Sequence, residues 1–190
     1  MRPLPIPAPP LTDGNISLRP WERRDVPAVA AACRDPEIPR WTVVPHNYTE
    51  RHARDFIGGT AADIAAGREL ALAIVGRDDR LLGALGMSNF DWSNLKAEIG
   101  YWTVAEHRRR GVGARATRLL SEWALTTLGL ERLELLANPL NEASLRLAER
   151  AGFTREGTLR LYRRRHGVRE DLVMYSMLAE DLEPREAPAG

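Results

Sequence analysis

Apolar and polar positions along this chain switch between a two-residue and a near-3.6-residue period, and the switches outline strands and helices. Ile16–Trp21 reads as a first strand. Arg24-Asp25-Val26-Pro27 then opens a helix through Arg34, with an acidic residue near its start and proline in its first turn; Pro36 and Pro39 end it. Thr49 is a candidate N-cap for a second helix to Ala66, stopped by Gly67. Leu70–Val75 and Leu81–Met87, joined by a polar turn, predict a hairpin. Glu98–Val104 predicts a further strand. From Gly113 to Leu128, Ala116, Leu119, Leu120, Trp123 and Leu128 keep helical spacing, with Gly129 beyond. Leu133–Ala137 reads as a strand, Asn141–Ala151 as a helix ended by Gly152, and Thr158–Arg163 with Arg169–Leu178 as a last hairpin turning at His166-Gly167. The order is a strand, two helices, a β-meander, then βαβ and αβ, without internal repeat: a mixed α/β fold on one central sheet.

Composition narrows the function. A chain of 190 residues suits one domain. Its 27 basic and 26 acidic residues leave a formal charge of +1, so recognition of charge must be local rather than a global field for nucleic acid or membrane. Cys33 is the only cysteine; it excludes an internal disulfide and a thiol metal site, and within a helical stretch it reads as a buried structural thiol. No run of about 18 apolar residues could span a bilayer, and no secretion signal opens the chain, so a cytoplasmic setting without metal is expected. The leader over residues 1–14, with five prolines by Pro10, reads as extended or disordered, residues 15–179 as the domain, and residues 180–190 as a frayed tail.

The most informative stretch is Tyr101-Trp-Thr-Val-Ala-Glu-His-Arg-Arg-Arg-Gly-Val-Gly-Ala114. A strand runs into Arg108-Arg109-Arg110-Gly111-Val112-Gly113, and a helix follows. Glycines let a phosphate approach the backbone, the opening helix offers unpaired N–H groups at the positive end of its dipole, and the arginines supply matching charge. A dinucleotide-binding fingerprint is the rival reading, since Gly111-x-Gly113-x-x-Ala116 fits its spacing; the preceding meander and the placement of Glu134 inside a strand argue against it. A second constellation, Asn138-Pro-Leu-Asn141-Glu-Ala-Ser144, joins a strand to a helix. Asn141 suits an N-cap. Its amide could equally grip the amides of an extended ligand, and Ser144 could hydrogen-bond a departing thiolate.

These segments, with Glu98-Ile-Gly-Tyr-Trp, Ala151-Gly-Phe-Thr-Arg-Glu-Gly157 and Asp171-Leu-Val-Met-Tyr-Ser176, resemble the GNAT superfamily of acyl-CoA-dependent N-acetyltransferases. Within it they resemble the branch of ribosomal-protein serine and alanine N-terminal acetyltransferases, over Ile16–Leu178. The resemblance implies a GNAT fold in which the strands ending near Val104 and Ala137 run parallel and splay, leaving a cleft for pantetheine. It implies acetyl-CoA as cosubstrate, held by the backbone at Trp102, Thr103 and Val104, by Arg108 through Ala114 at the pyrophosphate, and by Asn138, Asn141 and Ser144 along the arm, with Ser144 beside the sulfur. It also implies acetyl transfer to a primary amine, most plainly a protein or peptide N-terminus. A small-molecule amine such as an antibiotic or polyamine, and a silent acyl-CoA sensor or ribosome-binding module, are the alternatives. A monomer or homodimer is expected, and nucleic acid only as a ribosome contact.

The general base is the weakest part of the pattern. The positions where relatives carry a glutamate base and a tyrosine acid fall on Arg163 and Ala148, so those roles do not transfer. Glu98, on the strand leading to the cleft, is the leading base, acting through water; Glu134 and Asp171 are weaker. His107 is expected to help present the phosphate loop. The acceptor side is expected from the loop at Pro36–Tyr48 and the turn at Arg163–Gly167, with Trp41, Tyr48 and Trp92 as walls. Arg160, Arg163, Arg164, Arg165, His166 and Arg169 form a basic cluster that reads either as a solvated hairpin or as an attractant for an acidic peptide, a phosphate or RNA.

Overall fold

The computed structural model describes residues 2–165 and 167–182. The strands are β1 (Leu11–Thr12), β2 (Ile16–Pro20), β3 (Leu70–Gly76), β4 (Leu81–Asp91), β5 (Lys96–Thr103), β6 (Arg132–Ala137), β7 (Thr154–Arg165) and β8 (Val168–Leu178). The α-helices are α1 (Val26–Ala32), α2 (Glu37–Trp41), α3 (Glu50–Ala65), α4 (Val112–Thr126) and α5 (Glu142–Ala151). One sheet runs β1-β2-β3-β4-β5-β6-β8-β7, and its neighbours are antiparallel except β5 and β6.

Strand alternation divides the core between the two faces of this sheet. Leu70, Leu72 and Ile74 of β3 point into a large cluster with Ile99, Leu120, Leu133 and Tyr175, under α4 and α5. Ala71, Ala73 and Val75 point the other way, onto Val29, Ile38, Ala53 and Ile57 under α1, α2 and α3. Burial on both faces explains why β3 is an unbroken apolar run. Cys33 lies in the second cluster, and burial pushes its thiol up to about 12, as suits a structural residue.

β5 and β6 pair only at Lys96↔Arg132, Ala97↔Leu133 and Glu98↔Glu134. Beyond that register β5 stays with β4 as far as Thr103, and β6 stays with β8 as far as Ala137. The two therefore separate, and the sheet opens between them. This is the splay that the resemblance implies.

Three elements differ from expectation. Pro39 does not end a helix but lies within α2, at its third residue, where the missing N–H would have had no helical partner. The leader is partly tied down: Leu4 is 5% exposed and its N–H donates to the Ile64 carbonyl at 2.9 Å, while Leu11–Thr12 extend the sheet edge. Apolar side chains between the prolines find the core margin, which composition could not reveal. Ala179–Leu182 form a 3₁₀ turn, and the remainder of the expected tail, like His166 of the expected turn, lies outside the described residues.

Arg19 on β2 grips Asp25 at the start of α1 through two hydrogen bonds of 2.8 and 2.9 Å, and both side chains are nearly buried. Burial pushes the Asp25 carboxyl up, but Arg19 and the Glu22 amide more than offset this and hold it below the ordinary 3.8. The pair's contribution is therefore present above about pH 4 and lost as the pH falls further. Arg19→Met strands the carboxylate and is expected to cost about 3 kcal/mol in urea unfolding at pH 7. In that variant burial dominates, Asp25 titrates higher, and protonation relieves it. The stability gap from the parent should thus narrow between pH 7 and pH 4; a constant gap would reduce the loss to packing alone.

Candidate functional site

The parted strands open onto a cavity of about 610 Å³. Tyr101, Trp102 and Thr103 of β5 line it on one side, the His107–Gly111 loop and the first turn of α4 close one end, and Asn141, Ser144 and Leu147 of α5 close the other. Glu37 and Trp41 of α2 add the remaining wall.

Gly111 sits at the N-cap of α4 with φ +77°, a left-handed conformation that glycine adopts without strain. No side chain caps this helix, and the first helical bond runs from Arg115 N–H to the Gly111 carbonyl. The amides of Val112, Gly113 and Ala114 are thus left without helical acceptors at the cavity wall. Gly113 serves packing: a Cβ there would lie 2.5 Å from Leu147 Cδ1 and 3.3 Å from Thr103 Oγ1, so its absence lets α4, α5 and β5 converge. Arg109 and Arg110 have no ion pair among the described residues. Arg108 is different. Its Nε donates to the Thr103 carbonyl at 3.1 Å and its guanidinium pairs with Asp35, so it braces the loop against the α1–α2 turn. His107 Nε2 is buried in the cavity wall without a hydrogen-bond partner. The unpaired amides and the unpaired guanidinium of Arg109 form a donor set that fits a pyrophosphate.

At the other end Asn141 Oδ1 accepts from Ser144 N–H at 3.1 Å and caps α5. Ser144 Oγ lies 2.7 Å from Tyr101 Oη, a short hydroxyl pair facing the cavity. Burial pushes the Tyr101 phenol up to about 12, against a smaller downward pull from Ser144, so it stays protonated at neutral pH. Sequence reasoning missed Tyr101. Its signal was its position, sharing the inward face of β5 with Ala97 and Ile99 at the end next to the glycine loop.

A family model described as an acetyltransferase (GNAT) domain matches residues 15–154. The chain belongs to the GNAT acetyltransferase family. A Bacillus subtilis relative, the uncharacterized N-acetyltransferase YoaA, is 30% identical over 177 residues, covering 93% of this chain and 98% of that protein. The ribosomal-protein-serine acetyltransferase of Escherichia coli is 26% identical over 104 residues, 55% of this chain and 58% of that enzyme. Among solved structures, Mycobacterium smegmatis RimJ in complex with CoA-disulfide superposes with a TM-score of 0.82 at 25% identity, covering 97% of this chain and 93% of that one. GNAT acetyltransferases use acetyl-CoA, and the cavity's donor set fits it.

Within this GNAT domain the cavity gathers Trp41, Trp102, Thr103, Arg108, Arg109, Gly111, Val112, Gly113, Ala114, Asn141 and Ser144. Other expected residues lie elsewhere. Arg110 is on the loop but outside the lining. Val104 gives its N–H to the Leu82 carbonyl and its side chain to the core beneath α1 and α3. Asn138 is spent on structure, donating to Glu170 at 2.9 Å and accepting from Leu140 N–H. Tyr48 is buried beside His52. Trp92 stacks on Phe90 at 5.5 Å, at the margin of the larger core. Tyr48 and Trp92 therefore do not wall the cavity, because core packing claimed both rings. Glu98 is on the face of β5 opposite Tyr101, at the last paired register before the splay, and accepts from Asn89 at 2.9 Å. Its neighbour Glu134 is engaged by Lys96 and Arg132. Arg146, Leu147 and Arg150 of α5 also line the cavity and were not anticipated; their spacing on one helix face is the signal that could have found them.

Gly111→Glu places a strained residue and a negative charge at the uncapped end of α4. Acetyl-CoA affinity is expected to fall by about a hundredfold or more, roughly 3 kcal/mol, in calorimetry, while Gly111→Ala should cost far less. Unchanged affinity for the glutamate variant would remove the pyrophosphate assignment.

Proposed function

We propose that this chain is a cytoplasmic acetyl-CoA-dependent N-acetyltransferase whose acceptor is the α-amine at a polypeptide N-terminus. The observation that carries the reading is the Tyr101–Ser144 hydroxyl pair at one end of a cleft whose other end is an uncapped, arginine-flanked helix N-terminus. The Escherichia coli relative, named a ribosomal-protein-serine acetyltransferase, supports the acceptor class.

Bound acetyl-CoA would supply an acetyl group activated as a thioester. On this reading the amides of Val112–Ala114, with Arg109, bind the pyrophosphate, and the free edge of β5 at Trp102 and Thr103 holds the pantetheine arm. Ser144 donates a hydrogen bond from its hydroxyl to the leaving sulfur, and Tyr101, protonated at neutral pH, donates to the serine oxygen, so the pair stabilises the departing thiolate until it takes a proton from solvent. An α-amine has a pKa near 8, so about a tenth is already neutral at pH 7. Modest help suffices, and Glu98 at the apex of the splay, free of a cation among the described residues, is the carboxylate proposed to take the ammonium proton through water.

The deciding assay is thiol release from acetyl-CoA with peptides of varied free N-termini, the same peptides N-terminally blocked, and a panel of small amines. Release with free N-termini alone supports the reading; release with small amines alone moves the function to metabolite or antibiotic modification. Tight acetyl-CoA binding with no release would mark a sensor.

Ser144→Ala and Tyr101→Phe are each expected to lower kcat by about 10- to 100-fold with little change in acetyl-CoA affinity. Their effects should be less than additive because the two hydroxyls act as a unit. Unaltered kcat in both variants would remove the pair from the chemistry.

A further inference from the structure

Between residues 160 and 171 the chain carries five arginines and two carboxylates, a local positive excess larger than the +1 of the whole molecule. Glu170 takes two of those arginines, accepting from Arg163 Nε at 3.0 Å and Arg165 Nη2 at 2.9 Å. Arg165 also reaches the Arg40 carbonyl and lies over the ring of Trp41, which lines the cavity. One side of the β7–β8 hairpin is thereby fastened to the cavity wall.

Two of the other three arginines are unspent. Arg160 and Arg164 are exposed and have no carboxylate partner among the described residues. Arg164 stands directly opposite Arg169 in the ladder, an arrangement of like charges that destabilises a strand pair unless an anion lies between or above them. Between Leu159 and Arg163 the register shifts, and Leu161 takes φ +50°, a strained conformation for a bulky residue. The strain is held from both sides: Leu161 N–H donates to Asp171 at 2.7 Å, and Arg169 donates to the Leu161 carbonyl at 3.0 Å. The result is Leu161 and Tyr162 turned outward at 61% and 53% exposure beside the free arginines. Bulges of this kind re-aim side chains next to functional sites.

We propose that the outer side of the β7–β8 hairpin, through Arg160, Arg164 and Arg169 with Leu161 and Tyr162, docks the acidic segment that follows the N-terminus of a polypeptide acceptor. This rests on the acceptor reading above and adds a preference to it. A chain whose amine enters the cleft past Trp41 runs out beside Arg165, and about 3.3 Å per extended residue brings its next few residues over the hairpin.

The test uses peptides that share their first two residues and carry acidic, neutral or basic residues at the next four positions, assayed with the full-length enzyme and with an Arg160→Gln/Arg164→Gln variant. Arg169 is left intact because it holds the bulge. The parent enzyme is expected to favour the acidic peptide over the neutral one by about tenfold in kcat/KM at low salt, and the preference should shrink as salt is raised. The variant should lose it through a higher KM for the acidic peptide alone, with kcat and the neutral-peptide KM unchanged. Transfer to all three peptides without charge preference overturns this inference and leaves the N-terminal acceptor standing. A variant that loses affinity for an RNA oligonucleotide, with its acidic-peptide KM unmoved, assigns the surface to nucleic acid and also overturns it. Silence with every free N-terminus removes the acceptor reading and this inference with it.

Discussion

The separation of β5 from β6 after Glu98 and Glu134 is the constraint on which the rest of the site depends. A parallel pair would normally continue, since every unpaired backbone donor and acceptor in a sheet must find another partner. Here the strands are claimed by their outer neighbours instead, β5 by β4 and β6 by β8, through Thr103 and Ala137. The facing edges are left free for whatever enters. Arg108 takes one of those groups, the Thr103 carbonyl, and fixes the mouth of the gap. Both helices that follow the parted strands then begin at the cavity, with unpaired amides at α4 and a side-chain cap at α5.

The arginines show how one residue type divides between scaffold and chemistry. Arg108 and Arg165 are each anchored by a carboxylate and a backbone carbonyl, and each joins a loop to the α1–α2 region. Arg109, beside Arg108, has φ +59° and no ion pair among the described residues. A run of three arginines carries no mark that the first is a brace, because the distinction is made by Asp35, more than 70 residues away in sequence. Proximity in sequence to a glycine loop signals that charge is needed there, but not which guanidinium delivers it.

Elements and loops were legible because they depend on local chemistry: strand alternation, the Thr49 and Asn141 caps, and glycines at helix ends. The glycine loop could be placed because a strand before it and a helix after it leave few geometries. Side-chain direction was legible only where periodicity enforced it. Tyr48 and Trp92 are expected as cavity walls, although buried aromatics more often belong to the core, and tertiary packing puts Tyr48 in the core and Trp92 at its margin. Asn138 and Asn141 flank the same short turn, yet Glu170 captures the first and the cavity receives the second. Tyr101 went unrecognised because its role depends on Ser144, a contact between residues 43 apart.

The short α2 segment joins these parts into one device. Its approach is tied to the glycine loop by Asp35 and Arg108, and its end is tied to the β7–β8 hairpin by Arg40, Trp41 and Arg165. Its Trp41 and Glu37 side chains are hydrogen-bonded to each other at 3.0 Å while both line the cavity. A shift of α2 therefore cannot widen the cleft without loosening either the glycine loop at one end or the hairpin on the far side. Two charge-assisted anchors on so short a helix hold it more firmly than its own hydrogen bonds could, since a helix of one turn has almost no stability of its own. The two ends of the cavity are thus held at a fixed separation, and Pro39 within α2 stiffens the wall between them.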